Sequence, residues 1–147
     1  MTTFNTRTGN GSNMLVTDYD VKKIFVWDNR YENANLTNST YDAIDYPAGL
    51  VLGRVAATGE VVPLDSAATD GSQYPVGILS TNITIEGGDT REVPFAVGGD
   101  VAEELVVTTG TDTLETIIPG TVRRMRDHIR SVGIKLQFGV DQTGLDN

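Results

Sequence analysis

Residues 47–64 decide the fold of this chain, and they read Pro47-Ala48-Gly49-Leu50-Val51-Leu52-Gly53-Arg54-Val55-Ala56-Ala57-Thr58-Gly59-Glu60-Val61-Val62-Pro63-Leu64. Two apolar runs, 50–55 and 61–64, are separated by a short connection that contains Gly59. Runs of this length with glycine between them are typical of a β-hairpin. Pro63 has no N–H to donate to a neighbouring strand, which favours a strand end or a sheet edge at that position.

Short strands continue on the C-terminal side of this hairpin. Apolar runs or alternation predict them at four places: 76–80, 83–85, 93–97 and 101–107. Gly98-Gly99 predicts a bend or bulge, because glycine tolerates positive φ angles. Ile134, Leu136 and Phe138 alternate as a final strand.

One amphipathic helix is predicted, at about 121–132. Four apolar residues fall on one stripe at helical spacing: Val122, Met125, Ile129 and Val132. Thr121 is expected to cap the start of the helix and Gly133 to end it. Asp112 and Glu115 predict a further short helical turn before Pro119.

The N-terminal third of the chain is more polar. It predicts a strand at 21–27, a turn at Asp28-Asn29-Arg30 and a loop at 33–45, which is rich in Asn, Thr, Ser and Asp. Residues 1–13 contain only Met1 and Phe4 as large apolar side chains, too few to offset the entropy of ordering the segment. We interpret 1–13 as a flexible arm, and a terminus without a role is the alternative.

Together these patterns predict a mainly β, strand-rich single domain with one short C-terminal helix and a flexible N-terminal arm. Its parts are the arm at 1–13, a strand and loop segment at 14–45, a β-rich core at 46–140 and a tail at 141–147. Seven glycines are expected to shape its turns: Gly49, Gly53, Gly59, Gly71, Gly77, Gly98 and Gly99.

The composition excludes several classes of function. The 147 residues contain no cysteine and one histidine, which excludes disulfides, thiolate chemistry and a His–His metal site within one chain. The net charge of −9 disfavours nucleic acid as a partner. No apolar run is long enough to span a membrane and no secretory signal is evident, so we expect a protein made in the cytoplasm without a membrane partner.

The sequence predicts no catalytic residue, no metal site and no cofactor. His128 lies beside the apolar stripe of the predicted helix, where a surface or half-packed role is more common than catalysis. Glu103-Glu104 is interpreted as solvated charge, since neighbours in a strand face opposite sides. The loop at 65–74 lacks the ligand spacing of a calcium loop, with Ala67 and Asp70 at positions that need a ligand and a glycine.

A group of basic residues in the predicted helix leaves two interpretations open. Four of the chain's 11 cationic residues fall within eight positions: Arg123, Arg124, Arg126 and Arg130. Arg123, Arg126 and Arg130 share a face at helical spacing. That face is either a solvated surface or a contact surface for an acidic partner, including a second copy of this acidic chain. RNA is a third option, which the charge of the rest of the chain opposes.

The hairpin at 47–64 and the segments that follow it resemble the lambda-type head decoration (capsid cement) proteins of tailed phages. The resemblance continues through Asp70-Gly71-Ser72, Pro75-Val76-Gly77-Ile78-Leu79, and Pro94-Phe95-Ala96-Val97-Gly98-Gly99 with the following Val101-Ala102-Glu103-Glu104-Leu105-Val106. The basic helix and last strand also suit the family. The resemblance covers roughly residues 46–138 and does not clearly cover residues 14–45.

This resemblance implies a β-clip-like fold and a homotrimer seated on the local three-fold axes of an icosahedral capsid. It implies the major capsid protein as partner, a location on the outer surface of the virion, and stabilisation of the expanded head against packaged DNA. In that family the N-terminal arm orders on the capsid by adding a strand, which assigns this role to Thr2, Thr3, Phe4, Asn5, Thr6 and Arg7. Arg123, Arg126 and Arg130 are then expected at the trimer or capsid contact.

A carbohydrate- or host-surface-binding module on a phage particle is the alternative. It requires a cluster of exposed aromatic side chains, for which the candidates are Trp27, Tyr31, Tyr41, Tyr46 and Tyr74. A trimeric nucleotide hydrolase of related topology would need a catalytic aspartate in a nucleotide-binding motif, and the sequence contains no such motif.

Overall fold

The strands in the described part of the chain are short, except for two of 13 residues each. The computed structural model describes residues 4–5 and 24–137. Within them the elements are β1 (Phe4–Asn5), β2 (Phe25–Thr37), β3 (Ile44–Tyr46), β4 (Val51–Arg54), β5 (Val61–Pro63), β6 (Pro75–Leu79), β7 (Ile83–Ile85), β8 (Thr90–Ala102), a 3-10 turn (Glu103–Leu105), β9 (Thr108–Thr109), α1 (Met125–Ser131) and β10 (Ile134–Gln137). The prediction of a mainly β domain with one short helix is confirmed.

The main sheet has the strand order β10-β8-β6-β4-β5, and β2 pairs with β8 along its whole length. All of these pairings are antiparallel except that of β10 with β8, which is parallel. Two small sheets, β3–β7 and β1–β9, complete the described strands. The predicted hairpin is β4–β5, and Pro63 lies in the last strand of the main order, where its missing N–H costs no ladder bond.

The central strands bury side chains on both faces. On β4 and β6, Val51 and Ile78 pack with Met125 and Ile129 of α1, in what we call the helix-side core. Their neighbours Leu52 and Leu79 point the other way and pack with Phe95, in what we call the distal core. Adjacent residues of a strand face opposite sides, so runs such as 50–52 are apolar without alternation because both sides are covered.

Strand β8 belongs to both cores and changes sides at Gly98-Gly99. Val93 and Phe95 lie in the distal core, whereas Val101 lies in the helix-side core. Strict alternation would keep these odd-numbered residues on one face, so the irregular register here reverses the side-chain direction. The predicted bulge is therefore present, and 93–102 forms one strand across it.

The partner strand β2 is bulged at the same level. Asp28 has a φ of 52°, and Asn29 Nδ2 donates to the carbonyl oxygens of Gly98 at 3.3 Å and Asp100 at 3.1 Å. The predicted turn at 28–30 is wrong, because the chain bulges there and continues in the same strand to Thr37. The predicted loop at 33–45 is likewise wrong at its start, where Leu36 is buried and its polar neighbours face outward.

Two further segments differ from their predictions. The strand predicted at 101–107 ends at Ala102, because the 3-10 turn Glu103–Leu105 follows it. The helix predicted at about 121–132 spans only Met125–Ser131, and no side chain caps its start. Pro119-Gly120 instead forms a tight turn, in which Thr121 N donates to Ile118 O at 3.0 Å and Gly120 has a φ of 83°.

Other predictions near the chain ends are only partly within the described residues. Gly133 follows α1 with a φ of 108°, as expected of a helix end. The turn at 113–116 is held by Thr113 and Thr116, whereas Asp112 binds Ser66 and caps nothing there. Residues 1–3, 6–23 and 138–147 lie outside the described residues, and with them Phe138, most of the predicted arm and the first residues of the strand predicted at 21–27.

The seven predicted glycines act in two ways. Positive φ angles occur at Gly49, Gly59, Gly71 and Gly99. The other three do not form turns and lie inside strands, where neighbouring groups approach closely: Gly53, Gly77 and Gly98. A Cβ on Gly53 would collide with the main chain of Ser72, and a Cβ on Gly77 would collide with the ring of Phe95.

Replacing Gly53 by alanine is expected to destabilise the protein strongly, because main-chain atoms of Ser72 cannot move away as a flexible side chain can. We expect a loss of about 3 kcal/mol in the free energy of unfolding. Gly59→Ala is the matched control: no atom lies within 4 Å of its Cβ position, so only its φ of 76° costs about 1 kcal/mol. Urea unfolding of both variants measures the difference, and equal losses would contradict the close-contact explanation.

Candidate functional site

The arginines predicted as a contact surface are largely engaged within the chain. Arg126 lies between two carboxylates: Nε donates to Glu115 Oε1 at 2.7 Å, and the two terminal nitrogens bind Glu103 and Glu115. Glu103 follows β8 and Glu115 lies in the turn at 113–116. One guanidinium therefore ties α1 to two other segments. The interpretation of Glu103 as solvated charge is wrong, since its side chain is only 10% exposed.

The other three arginines differ in the hydrogen bonds and ion pairs that they form within the chain. Arg124 pairs with Glu115 at 2.5 Å. Arg123 Nη2 donates to Asp127 O at 2.9 Å and to Ser131 Oγ at 2.6 Å. Arg130 is exposed and forms no ion pair within residues 24–137. Of the cluster, Arg130 is thus the side chain that remains available to an acidic partner.

The electrostatics of this cluster follow from its hydrogen bonds. The bond from Arg126, opposed by some desolvation and aided by Arg124, lowers the pKa of the Glu115 carboxyl. Burial acts to lower the pKa of Arg126, but the bonds to Glu115 and Glu103 outweigh it and the pKa is raised. Both groups are therefore held in their charged forms.

Beside the arginines, a turn held by main-chain hydrogen bonds exposes two apolar side chains, Ile117 and Val122, which we call the rigid tip. Ile117 is 55% exposed and Val122 is 95% exposed. Between them Ile118 is fully buried, and its N–H bonds to Arg123 O while its carbonyl accepts from the main chain and the hydroxyl of Thr121. The sequence prediction placed Val122 on the buried stripe of a helix. The Pro-Gly pair was the signal for a turn, since proline and glycine fit its two central positions.

Of the predicted capsid-binding arm, the structure describes Phe4 and Asn5. They form β1, which pairs antiparallel with β9 in the register Phe4–Thr109 and Asn5–Thr108. For these two residues the structure shows a paired strand where the sequence predicts a flexible arm. Thr2, Thr3, Thr6 and Arg7 lie outside the described residues.

The five aromatic residues considered for sugar binding are dispersed. Trp27 and Tyr31 are exposed on β2, where Tyr31 contacts Phe25 with ring centroids 6.1 Å apart. Tyr41 lies in the loop after β2. Tyr74 directly precedes β6 and its ring contacts that of His128, whereas Tyr46 is buried in the distal core. They do not form the cluster that the alternative function requires.

His128 is packed between Tyr74 and Thr121, and among the described residues no carboxylate hydrogen-bonds its ring. Its ring lies 5.6 Å from that of Tyr74, and Nε2 is 3.5 Å from Thr121 Oγ1. Burial, followed by the charge of Arg123, lowers the pKa of His128, which keeps the imidazole neutral near pH 7. Among the described residues, no three His, Asp or Glu side chains are grouped as a metal site, and no helix is long and apolar enough to cross a membrane.

Comparison with known proteins bears on this strand-rich core. A family model for the bacteriophage lambda head decoration protein D matches residues 28–119, more than half of the chain. The chain belongs to this head decoration family. Comparison with curated proteins gives no match.

Membership of the head decoration family identifies a structural protein of the phage capsid surface. The family match starts within β2 and includes 28–45, which the sequence resemblance did not clearly cover. It ends at Pro119, so α1 and β10 lie beyond it, although the resemblance extended to 138. Capsid binding is thus a property of the family.

We expect Arg126→Ala to destabilise the fold, because it leaves the largely buried Glu103 carboxylate without its cation. The loss should be about 2 kcal/mol, in the range of hydrogen bonds to charged groups. Arg130→Ala is the matched control on the same helix, and its free energy of unfolding should change by less than about 0.5 kcal/mol. Urea midpoints measure both, and an unchanged midpoint in Arg126→Ala would refute the structural role.

Glu115 should make part of the stability dependent on pH. Its folded-state pKa is lowered, so its contribution is complete above the unfolded-state value of about 4.3 and is lost as the pH falls through the folded-state value. The difference in unfolding free energy between the wild type and Glu115→Gln should therefore be constant above about pH 5 and shrink below about pH 4. Glu104→Gln, at an exposed position, is the control. A difference that persists unchanged to pH 3 would argue against the ion pair.

Proposed function

We propose that this chain binds the outer surface of an icosahedral phage head as a homotrimer at the local three-fold axes. It contacts the major capsid protein there and stabilises the expanded shell against the pressure of packaged DNA. The observation that carries this proposal is the family match, which spans β2 to β9 and so includes most of the strands that build both cores.

The charge of the chain is consistent with an outward position. A net charge of −9 repels a phosphate backbone, and a protein on the outside of the shell has no need to touch the genome. Arg124 and Arg126 of the basic cluster are paired with carboxylates of the same chain, which reduces the positive charge that the cluster can offer to nucleic acid.

Trimer and capsid contacts need surfaces that are apolar or complementary in charge. The exposed side chains that suit such contacts are Ile117 and Val122 on the rigid tip, Arg130 on α1, and Trp27 on β2. A rigid apolar tip favours binding, because little conformational entropy is lost when it is covered. Closed symmetry is the usual way for copies of one chain to bury such patches.

The arm is proposed to bind a capsid segment as an added strand. Main-chain hydrogen bonds then supply affinity, and Phe4 can fill a pocket. The pairing of Phe4–Asn5 with β9 supports this proposal, because it shows that this part of the arm can adopt extended, ladder-forming geometry.

The proposal is tested with heads that lack their decoration protein, prepared in expanded and unexpanded forms. Purified chain should bind the expanded heads only, in multiples of three copies per three-fold site by native mass measurement. Decorated heads should release DNA at a higher temperature than bare heads. Equal binding to both forms, or single copies scattered over the shell, would contradict the proposal.

Deleting residues 1–13 should separate capsid binding from folding. The strand-rich core should keep its melting temperature to within a few degrees, because only the two-residue β1 is removed from the described strands. Capsid binding should weaken more than tenfold, since each lost ladder bond is worth about 0.5–1.5 kcal/mol. Phe4→Ala should show part of this loss. If the truncated chain saturates heads at the same protein concentration as the full chain, the arm does not hold the protein on the capsid.

A further inference from the structure

One edge of β9 already holds an added strand in this structure. Phe4 and Asn5 pair with Thr109 and Thr108 of the same chain. The arm that is proposed to bind the capsid is therefore docked on its own domain, and β9 acts as an acceptor for an extended segment.

The acceptor is held in place by contacts to the core. Thr108 Oγ1 donates to Asp112 O at 2.6 Å, and Thr109 Oγ1 donates to Leu64 O at 2.8 Å. Just before β9, Val107 exchanges main-chain bonds with Gly49 and Val51 at 2.8 and 2.9 Å. None of these bonds involves the arm, so the edge of β9 keeps its shape when the arm leaves.

The docked strand is short and its tether is long. Among the described residues the pairing spans two residues on each side, so few of these ladder bonds must break to release it. Eighteen residues connect Asn5 to Ile24, and a chain of that length can reach roughly 60 Å when extended. Once released from β9, an arm on a connection of this length has the reach to meet a neighbouring protein.

We propose that the edge of β9 is an intramolecular docking site for the arm, which the arm must leave before it binds the capsid. This inference rests on the proposed capsid role of the arm. The main-chain groups of Phe4 and Asn5 that face β9 cannot bond a capsid strand at the same time. Docking in the free protein also covers an exposed strand edge, which would otherwise invite pairing between copies.

A disulfide can lock the docked state reversibly, because the chain has no cysteine of its own. Asn5 and Thr108 are direct partners, and paired residues of antiparallel strands have Cα separations of about 4.5–5.5 Å, within the range that a disulfide spans. In the variant Asn5→Cys with Thr108→Cys, oxidation should form an intrachain bond. Binding of the oxidised protein to expanded heads should then be at least tenfold weaker than that of the same protein after reduction. The two single-cysteine variants, oxidised in the same way, are the controls.

The outcomes separate this inference from the proposed function. If the locked protein binds as well as the reduced one, a capsid strand adds without release of the arm, and the inference is overturned. It is also overturned if oxidation gives cross-linked oligomers or no bond, because the arm then docks on another copy or not at all. If neither the reduced variant nor the wild type binds heads, the proposed function fails. In that case hydrogen exchange in the free wild-type protein decides the docking: slowed amides at Phe4 or Asn5 support it, and amides at the random-coil rate overturn it.

Discussion

The structure depends on the reversal of side-chain direction in β8 at Gly98-Gly99. Before this point Phe95 points into the distal core, and after it Val101 points into the helix-side core. Strand β8 therefore pairs with β6 before this point, with β10 from Gly99 onward, and with β2 on both sides of it. A Cβ on Gly99 would lie 2.6 Å from Asn29 Cα, so only glycine lets the two bulged strands pass this closely.

The position of the basic cluster is a consequence of that strand. Since β8 ends at Ala102, the 3-10 turn places Glu103 where Arg126 of α1 can reach it. The guanidinium then joins the end of β8, the turn at 113–116 and the helix, although its two partners lie 23 and 11 residues away in sequence. Arginine is suited to this because its planar group offers several donors at once. Most of the cluster thus stabilises the fold, and Arg130 is the member whose side chain forms no ion pair or hydrogen bond among the described residues.

Local patterns predicted most strands but not the contacts that join them. The β4–β5 hairpin, β6, β7 and β10 follow from apolar runs and turn residues, which act over a few positions. The part of β2 after Trp27 was missed because most of its exposed side chains are polar, while Leu36 is the one buried residue that signals the inner side. The partners of Arg126 were missed because they lie 11 and 23 residues away, beyond the spacing that a helix or strand pattern can reveal. The predicted helix began at about 121, four residues before the observed Met125, so Val122 was placed on the buried stripe instead of at the tip.

The family match covers only part of the domain that the structure shows. The matched residues, 28–119, include the acceptor strand β9 and the bulge in β8. They do not include Met125, Ile129, Ile134 or Leu136, yet these complete the helix-side core, so the C-terminal segment belongs to the same domain. The arm is different: its described residues, Phe4 and Asn5, meet the domain through main-chain pairing at β9. Main-chain pairing places few demands on side chains. An arm attached in this way can change its sequence while the acceptor and both cores stay as they are, and under the proposed function such changes would fit it to a different capsid strand.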